Sequence, residues 1–161
     1  MPTPLEYFVS YARKDRPQVD ALLDLLRPRL KIATGPGYAE WNDRMIPLGA
    51  AWRAEIDAAL TRCAFGLLLL SPEFFASDFI AANEIPQFIE SLGPKTVAIH
   101  KPLVPVGLKP VPLDGSADLK GIQHVQVFRD DQGRWFSQTR GHIRDAFVDQ
   151  FVAAMVAKLR P

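Results

Sequence analysis

The chain has little of several features that would assign it to particular classes of protein. It contains one cysteine, Cys63, in 161 residues, so an internal disulfide is excluded. Its three histidines, His100, His124 and His142, lie too far apart in sequence for a typical metal-ligand spacing. Acidic and basic residues nearly cancel, the formal net charge is +1, and no run of Lys and Arg stands out that could follow a phosphate backbone. We therefore expect no bound metal and no direct contact with nucleic acid.

Long apolar runs are missing as well. No stretch approaches the roughly 20 residues that a membrane-spanning helix needs. The start of the chain, MPTPLEYFVSY, has no basic region followed by an apolar run and a small-residue cleavage site. The sequence therefore predicts a cytoplasmic protein without a membrane partner.

What the chain does have is enough apolar side chains for one substantial core. Hydrophobic residues make up 48% of the sequence, and 161 residues are too few for two ordinary domains. We predict a single domain over residues 1–161. The last residues, AKLRP, directly follow a predicted helix, which indicates the N-terminal domain of a longer protein with a C-terminal sensor domain or another activating partner.

Strand and helix patterns alternate along the chain. Asp15 is predicted to cap the first helix, with Pro17 in its first turn. Pro28 indicates that this helix ends or bends near Arg27, and Trp52 is expected in the core because it opens the apolar stripe of the second helix. The predicted order is a strand at 6–10, the first helix, a strand at 38–41, the second helix, a buried strand at 64–70, a broken helix from 71 onwards, a strand within 96–106, a short strand at 124–128 and a closing helix over 147–159. This alternation predicts an α/β, flavodoxin-like three-layer fold, with a parallel sheet of about five strands and helices on both faces.

The segment SPEFFASDFIAANEIPQF, residues 71–88, places Glu84 among aromatic, small and amide side chains. A carboxylate among such neighbours loses hydration, so it must be paired with a cation, carry a proton or serve a function that requires it. Pro86 has no N–H to donate, which predicts a break in the helix beside Glu84. Two interpretations are open: Glu84 is a functional acid, or Asn83 caps a short helix and Glu84 lies in its first turn. Asp78 resembles a local cap, and we assign it no role in chemistry.

Three blocks together resemble the Toll/interleukin-1 receptor (TIR) domain, in particular its bacterial branch. FVSYARKD is similar to the opening box of that family, and WNDRMIPLGAAWRAEIDAAL is similar to its BB loop and the following helix. CAFGLLLLSPEFFASDFIAANEIPQF is similar to its central strand and acidic helix. The blocks occur in the family's order and span nearly the whole chain.

The resemblance implies two functional classes. One class of TIR domain cleaves NAD+ at the nicotinamide N-glycosidic bond, giving nicotinamide with ADP-ribose or a cyclic isomer, and the family's catalytic glutamate falls on Glu84. NAD+ is then the substrate, and no cofactor is implied. Vertebrate and plant members place an aromatic residue four positions before the glutamate, whereas this chain has Ile80 there and Phe79 one position earlier. Phe79 is therefore the candidate ring beside nicotinamide.

The loop after the first strand supplies the first candidate wall of a dinucleotide site. Ligands of parallel sheets bind outside the carboxyl ends of the strands, which places Ser10, Tyr11, Arg13 and Lys14 to meet the substrate. Arg13 and Lys14 can pair with pyrophosphate, and Tyr11 can stack on a base or line the cleft; the alternative is a solvated basic loop. No GxGxxG motif follows this strand, which disfavours hydride transfer on a Rossmann cradle.

The second candidate wall is the segment that follows the second predicted strand, at the same edge of the sheet. Trp41 can stack on nicotinamide or adenine, or it can simply pack where the strand meets the loop. Asp43 and Arg44 can bind ribose hydroxyls or each other. The loop from Asn42 to Gly49 corresponds to the family's BB loop and is the expected contact with other TIR domains.

The leading interpretation is an NAD+-consuming TIR domain of bacterial defence or signalling that uses Glu84 and is activated by homo-oligomerisation. The alternative from the same family is a non-catalytic interaction module, in which the loop at 42–49 docks onto a neighbouring domain. A more distant alternative is an enzyme similar to nucleoside deoxyribosyltransferases, which also breaks an N-glycosidic bond. Products formed from NAD+ and from nucleosides distinguish them.

Overall fold

The computed structural model describes residues 3–160; residues 1, 2 and 161, which the predicted domain includes, lie outside the described residues. Along the chain the elements are β1 (Leu5–Ser10), α1 (Arg16–Ile32), β2 (Tyr38–Trp41), α2 (Trp52–Arg62), β3 (Phe65–Leu70), α3 (Pro72–Ala76), β4 (Ile89–Gly93), β5 (Thr96–Ile99), β6 (Leu103–Gly107) and α4 (Gly141–Leu159). Between residues 3 and 160 no helix is both long and apolar enough to cross a membrane.

A parallel sheet in the order β2-β1-β3-β6 forms the middle layer. β3, whose sequence is FGLLLL, is buried along its whole length because it lies between β1 and β6 and is covered on both faces. Gly66 in β3 is required by packing, since a Cβ there would lie 2.6 Å from the ring of Phe88. That contact seats the segment after Glu84 directly on the sheet.

The helices cover both faces of the sheet, as predicted. α1 and α4 pack together over one face, with Leu22, Leu26, Phe147 and Phe151 fully buried between them and the strands. The other face is covered by α2 and by the segment that contains Glu84, through a second set of buried side chains. These include Ile56, Leu60, Phe74, Ile80 and Phe88. The predicted three-layer α/β fold is confirmed.

The sheet has four strands within residues 3–160, against about five predicted. The predicted short strand at 124–128 is reduced to one bridge between Phe128 and Val106, in which the Phe128 N–H donates to the carbonyl oxygen of Pro105. The Gly107 N–H donates to the carbonyl oxygen of Phe128 and completes the bridge. Pairing does not extend to either side, because Pro105 has no N–H to donate to residue 126 and the chain turns at Asp130, whose carboxylate accepts two backbone N–H groups. The fifth position of the sheet is thus occupied by a segment that is scarcely a strand.

An antiparallel hairpin of β4 and β5 was not predicted. The predicted strand at 96–106 is divided into β5 and β6, and β5 pairs with β4, which falls where the broken helix was expected to continue. The helical segment ends at Gln87 because Pro86 interrupts its hydrogen bonding. Residues from Ile89 onward are then free to pair with β5.

The first helix is longer than Pro28 suggested. α1 continues through Pro28 to Ile32, because Leu30 is buried on the same face as Leu26 and its burial offsets the one backbone hydrogen bond that a proline cannot make. Pro17 lies in the first turn, as predicted. Asp15 occupies the N-cap position, but its side chain accepts no hydrogen bond from the helix.

Candidate active site

A cleft of about 780 Å³ opens at the carboxyl ends of β1 and β3, which is the usual ligand position in parallel sheets and is large enough for a small organic ligand. It brings together residues that the sequence analysis selected: Tyr11, Arg13, Lys14, Asp43, Phe79 and Glu84. It also contains residues that the sequence analysis did not select: Ala12, Trp52, Ile56, Glu73, Ala76, Ser77 and Ile80.

Glu84 lies where the helical segment is broken, as predicted. Residues Ile80–Glu84 form one π-helical turn and Ile85–Gln87 a 3₁₀ turn that contains Pro86. Single π-helical turns of this kind occur often at functional sites. The side chain of Glu84 is nearly buried, and its Oε1 accepts a hydrogen bond from Ser10 Oγ at 2.6 Å. The last residue of β1 therefore holds one oxygen of this carboxylate.

The alternative role for Glu84, a carboxylate at the start of a helix capped by Asn83, is wrong. Asn83 lies inside the π-helical turn, where its side-chain amide donates to the carbonyl oxygen of Phe79 and accepts from Arg53. Glu84 ends that turn and occupies the N-cap position of the 3₁₀ turn Ile85–Gln87, but its side chain makes no capping hydrogen bond there. The geometry thus leaves no capping interaction to account for a carboxylate at this position.

The pKa of Glu84 is raised from 4.5 to about 7. Burial is the main cause, because it removes hydration from the charged form, and the Asp43 carboxylate adds to it by repulsion. The hydrogen bond from Ser10 opposes both effects by stabilising the ionised form. Near neutral pH, both protonation states of Glu84 are therefore populated.

Asp43 organises the mouth of the cleft. Its Oδ1 accepts a hydrogen bond from the hydroxyl of Tyr11 at 2.6 Å, and its Oδ2 lies 3.8 Å from Nε of Arg13. Tyr11 is buried apart from its edge on the cleft, whereas the Arg13 side chain is 81% exposed and Lys14 is also exposed. The two basic side chains are thus free to reach a ligand, while Tyr11 is fixed.

A partly exposed hydrogen-bond network that sequence analysis missed holds Asp43 in place. Asn42 caps the 3₁₀ turn Asp43–Met45 by accepting from the Arg44 N–H, and it donates to Glu40 Oε2 at 2.6 Å. Arg27 from α1 binds both oxygens of Glu40 at 2.8 and 2.9 Å. No local pattern in the sequence shows this link, since the partners come from a helix and a strand.

Two residues of the second predicted wall do not line the cleft. Trp41 is buried, and its ring stacks on Phe8 at a centroid distance of 5.0 Å, because β2 lies beside β1 and both side chains point to the same face. Arg44 is exposed and binds Asp20 on α1, so the pair with Asp43 that we considered does not form. Of the three residues proposed for the second wall, only Asp43 lines the cleft.

Trp52, which was expected in the core, is 52% exposed and lines the cleft. It lies in the first turn of α2, beyond the part of the helix that packs on the sheet. Its ring lies 5.6 Å from that of Phe79, and the Arg53 guanidinium lies 5.4 Å from the centre of the Phe79 ring. Trp52 and Phe79 form an aromatic surface at the cleft.

No group of His, Cys, Asp and Glu side chains among residues 3–160 has the arrangement of a metal site. The cleft instead combines one nearly buried carboxylate, an aromatic surface and basic side chains at its mouth. Such a set can bind a planar ring, hold a phosphate group and stabilise a positive charge.

The chain matches a known protein family. A family model described as TIR domain matches residues 8–140, more than four fifths of the chain, from within β1 to the residue before α4. No curated protein matches the chain significantly. With the matched segment covering the parallel sheet and the cleft, the chain belongs to the TIR domain family.

Proposed function

We propose that this TIR domain cleaves NAD+ at the nicotinamide N-glycosidic bond, giving nicotinamide and ADP-ribose or a cyclic isomer, with Glu84 as the catalytic residue. The observation that carries the proposal is the Glu84 carboxylate itself: it is nearly buried, it is held by Ser10, and it faces a cleft. TIR domains include both enzymes and interaction modules, so the family alone does not assign the activity.

The chemistry needs only one carboxylate. The leaving group of an ordinary glycoside departs as an alkoxide, so its hydrolysis needs an acid to protonate that oxygen and a second carboxyl group on the other face of the sugar. The nicotinamide of NAD+ departs as a neutral molecule from a positively charged pyridinium, so no proton has to be supplied. A carboxylate beside the ribose stabilises the positive charge that develops at its anomeric carbon. Water then forms the new bond to that carbon and loses a proton, giving ADP-ribose; in the cyclic product a nucleophile of the same molecule takes the place of water. Burial strengthens this interaction, because less water screens it.

The substrate itself favours the active form of Glu84. A pyridinium ring is cationic, and a positive charge near a carboxylate lowers its pKa. The pKa of Glu84, about 7 in the protein alone, should therefore fall when NAD+ binds. Oε1 is occupied by Ser10, while Oε2 has no hydrogen-bond donor among residues 3–160 and is the oxygen we assign to the ribose.

The remaining side chains of the cleft fit the rest of the dinucleotide. Trp52 and Phe79 offer their ring faces to a base, and Arg13 and Lys14 lie at the mouth where a pyrophosphate would sit. Asp43 can accept from a ribose hydroxyl. Trp41 and Arg44 have no part in the proposed site, given their positions.

Replacing Arg13 with Ala should raise KM for NAD+ by several-fold and leave kcat nearly unchanged. The phosphate contact is the same in the ground state and the transition state, so its loss weakens binding without slowing the chemical step. Because Arg13 is 81% exposed, its removal should not affect folding. Saturation curves for wild type and variant measure the effect; overlapping curves would withdraw Arg13 from the site.

The pH profile should move in opposite directions in two variants. For wild type, kcat/KM should rise with pH through a limb near pH 7, since the ionised Glu84 is the active form. Ser10→Ala removes the hydrogen bond that lowers the pKa of Glu84 and should move the limb to higher pH. Asp43→Asn removes the repulsion that raises this pKa and should move the limb to lower pH. Shifts in the same direction, or no limb, would contradict the assignment.

A non-catalytic interaction module is the second candidate, and exposed apolar side chains favour it. Leu48 is fully exposed and Met45 is 53% exposed, both on the loop at 42–49 that was predicted to contact other TIR domains. TIR domains commonly self-associate. The two functions are compatible, because self-association can also order an active site.

One experiment tests the proposal. The purified chain is incubated with NAD+ from nanomolar to high micromolar protein, and the products are separated by chromatography, with nucleosides as alternative substrates. We expect nicotinamide and an ADP-ribose product, with specific activity that rises with protein concentration. Absence of cleavage at every concentration, together with self-association seen by sedimentation, would support the interaction module instead. Base exchange on nucleosides would support the transferase-like alternative.

A further inference from the structure

A buried charged cluster lies beneath the cleft and is not used by the proposed chemistry. The Asp15 carboxylate is fully buried; its Oδ2 accepts a hydrogen bond from Ser71 Oγ, and its Oδ1 lies 2.6 Å from Nζ of Lys109. Ser71 is also fully buried and accepts a hydrogen bond from the Phe74 N–H at 2.9 Å. The partners come from three segments that are far apart in sequence.

Each partner follows a different strand of the sheet. Asp15 lies in the loop after β1, which carries Arg13 and Lys14 into the cleft, and Ser71 follows β3 and caps α3. Lys109 follows β6, and its N–H donates to the carbonyl oxygen of Leu70 at 3.0 Å. The cluster therefore joins the loop after β1 to the segment after β3 that carries Glu84, and Lys109 is itself anchored on the backbone of the central strand.

We propose that Asp15 and Lys109 are positioning residues that hold the loop after β1 and the segment carrying Glu84 at the separation the reaction needs. A carboxylate that only capped α1 would point at the helix N–H groups. Asp15 occupies the cap position but gives its oxygens to Ser71 and Lys109 instead. Ser10 donates to Glu84 across the same gap that the cluster spans.

The effect on catalysis follows from geometry and rests on the proposed function. Loss of the Lys109 charge leaves a buried carboxylate without its counter-ion, and the loop must move to hydrate it. A displacement of about 1 Å between reacting groups can cost up to about a hundredfold in rate. Binding depends less on this distance, since Arg13 and Lys14 are exposed side chains at the edge of the site.

The test compares Lys109→Met with Arg134→Met. Arg134 lies 2.7 Å from Asp130, another buried carboxylate, in a loop that does not line the cleft. Arg134→Met therefore also removes the cation of a buried ion pair, but at a place remote from the proposed reaction. At a temperature where both variants are fully folded, Lys109→Met should lower kcat by about tenfold or more with KM changed less than about threefold. Arg134→Met should lose thermal stability and keep kcat.

A double variant separates positioning from stability. Asp15→Asn/Lys109→Met removes both charges, and the asparagine oxygen can still accept from Ser71. It should regain most of the melting temperature that Lys109→Met loses, because the fully buried Asp15 charge is gone. Glu73, whose Oε2 lies 3.7 Å from Nζ of Lys109, also loses its cation, but its side chain is 36% exposed and can be hydrated. Its kcat should stay low, because the tie to Lys109 is still absent, whereas Lys109→Arg should retain most of the activity. Recovery of kcat together with stability in the double variant would overturn the proposal.

Amide hydrogen exchange gives a readout that does not need turnover. The Asp15 N–H, in the loop after β1, donates to the carbonyl oxygen of Ala12. The Phe74 N–H, in the segment after β3, donates to Oγ of Ser71. Both should exchange about tenfold faster in Lys109→Met than in wild type and remain unchanged in Arg134→Met. If wild type does not cleave NAD+, the proposed function fails, while amide exchange still tests whether Lys109 holds the loop after β1 to the segment after β3. Unchanged exchange at both amides would overturn it.

Discussion

Glu84→Gln should reduce nicotinamide release from NAD+ by at least about a hundredfold, which is the scale of removing one preorganised electrostatic group. Glutamine has the same shape and can still accept the hydrogen bond from Ser10 Oγ, so the fold and the cleft should be kept. What is lost is the negative charge beside the ribosyl cation. KM should change little, because that charge contributes most when the cation develops.

The matched control is Asp78→Asn. Asp78 is an exposed acid on the same segment, outside the residues that line the cleft, and its replacement removes one charge in the same chemical way. Initial rates by chromatography, with circular dichroism to show that both variants are folded, measure the difference. Wild-type turnover in folded Glu84→Gln would remove Glu84 from the reaction, and an equal loss in Asp78→Asn would show a general charge effect.

The fold was largely predictable because its central elements have strong local signals. β2 was expected at the residues where it occurs, and β3 was identified by an apolar run without alternation. The hairpin of β4 and β5 was missed because its first strand continues a segment of helical tendency. Only Pro86, which ends the helical hydrogen bonds, separates the two, and a proline does not determine the structure of the residues after it.

The candidate site was less predictable, and two tryptophans show why. The helical period places Trp52 on the buried face of α2, but the first turn of that helix extends past the sheet and leaves the ring in the cleft. Trp41 ends a strand at the correct edge, yet its side chain stacks on Phe8. Sequence spacing gives the face of an element, whereas exposure also depends on where the neighbouring element ends.

Burial of Glu84 bears on the choice between enzyme and interaction module. A carboxylate removed from water lowers the stability of the folded protein unless its charge is fully compensated, and one hydrogen bond from Ser10 does not compensate it. An interaction module has no chemical need for such a group, and an apolar residue of similar size would be more stable. Active sites commonly keep destabilising groups of this kind because the reaction requires them.

The cost of this buried carboxylate should be measurable as a pH-dependent stability difference between wild type and Glu84→Gln. The pKa of Glu84 is about 7 in the folded protein against 4.5 ordinarily, so between these values the folded state holds more protons than the unfolded state. Wild type should therefore lose stability relative to the variant as pH rises from 4.5 to 7, and the difference should level off above that. At about 1.4 kcal/mol per pH unit, the total change is about 3 kcal/mol in favour of Glu84→Gln.

Asp130→Asn is a control in which the stability difference from wild type should change with pH in the opposite direction. Burial alone would raise the pKa of Asp130, but hydrogen bonds from the backbone of Arg134, from its side chain and from the backbone of Gln132 hold it below the ordinary value. The folded state then holds fewer protons, so wild type should gain stability relative to Asp130→Asn as pH rises through the acid range. Urea unfolding from about pH 2.5 to 8.5 measures both differences in the free energy of unfolding, because the Asp130 trend falls below its ordinary pKa of 3.8 and the Glu84 trend above 4.5. A flat difference between wild type and Glu84→Gln, with the Asp130 trend present, would mean that Glu84 is ionised and compensated in the folded protein, and its burial would then cease to be an argument for catalysis.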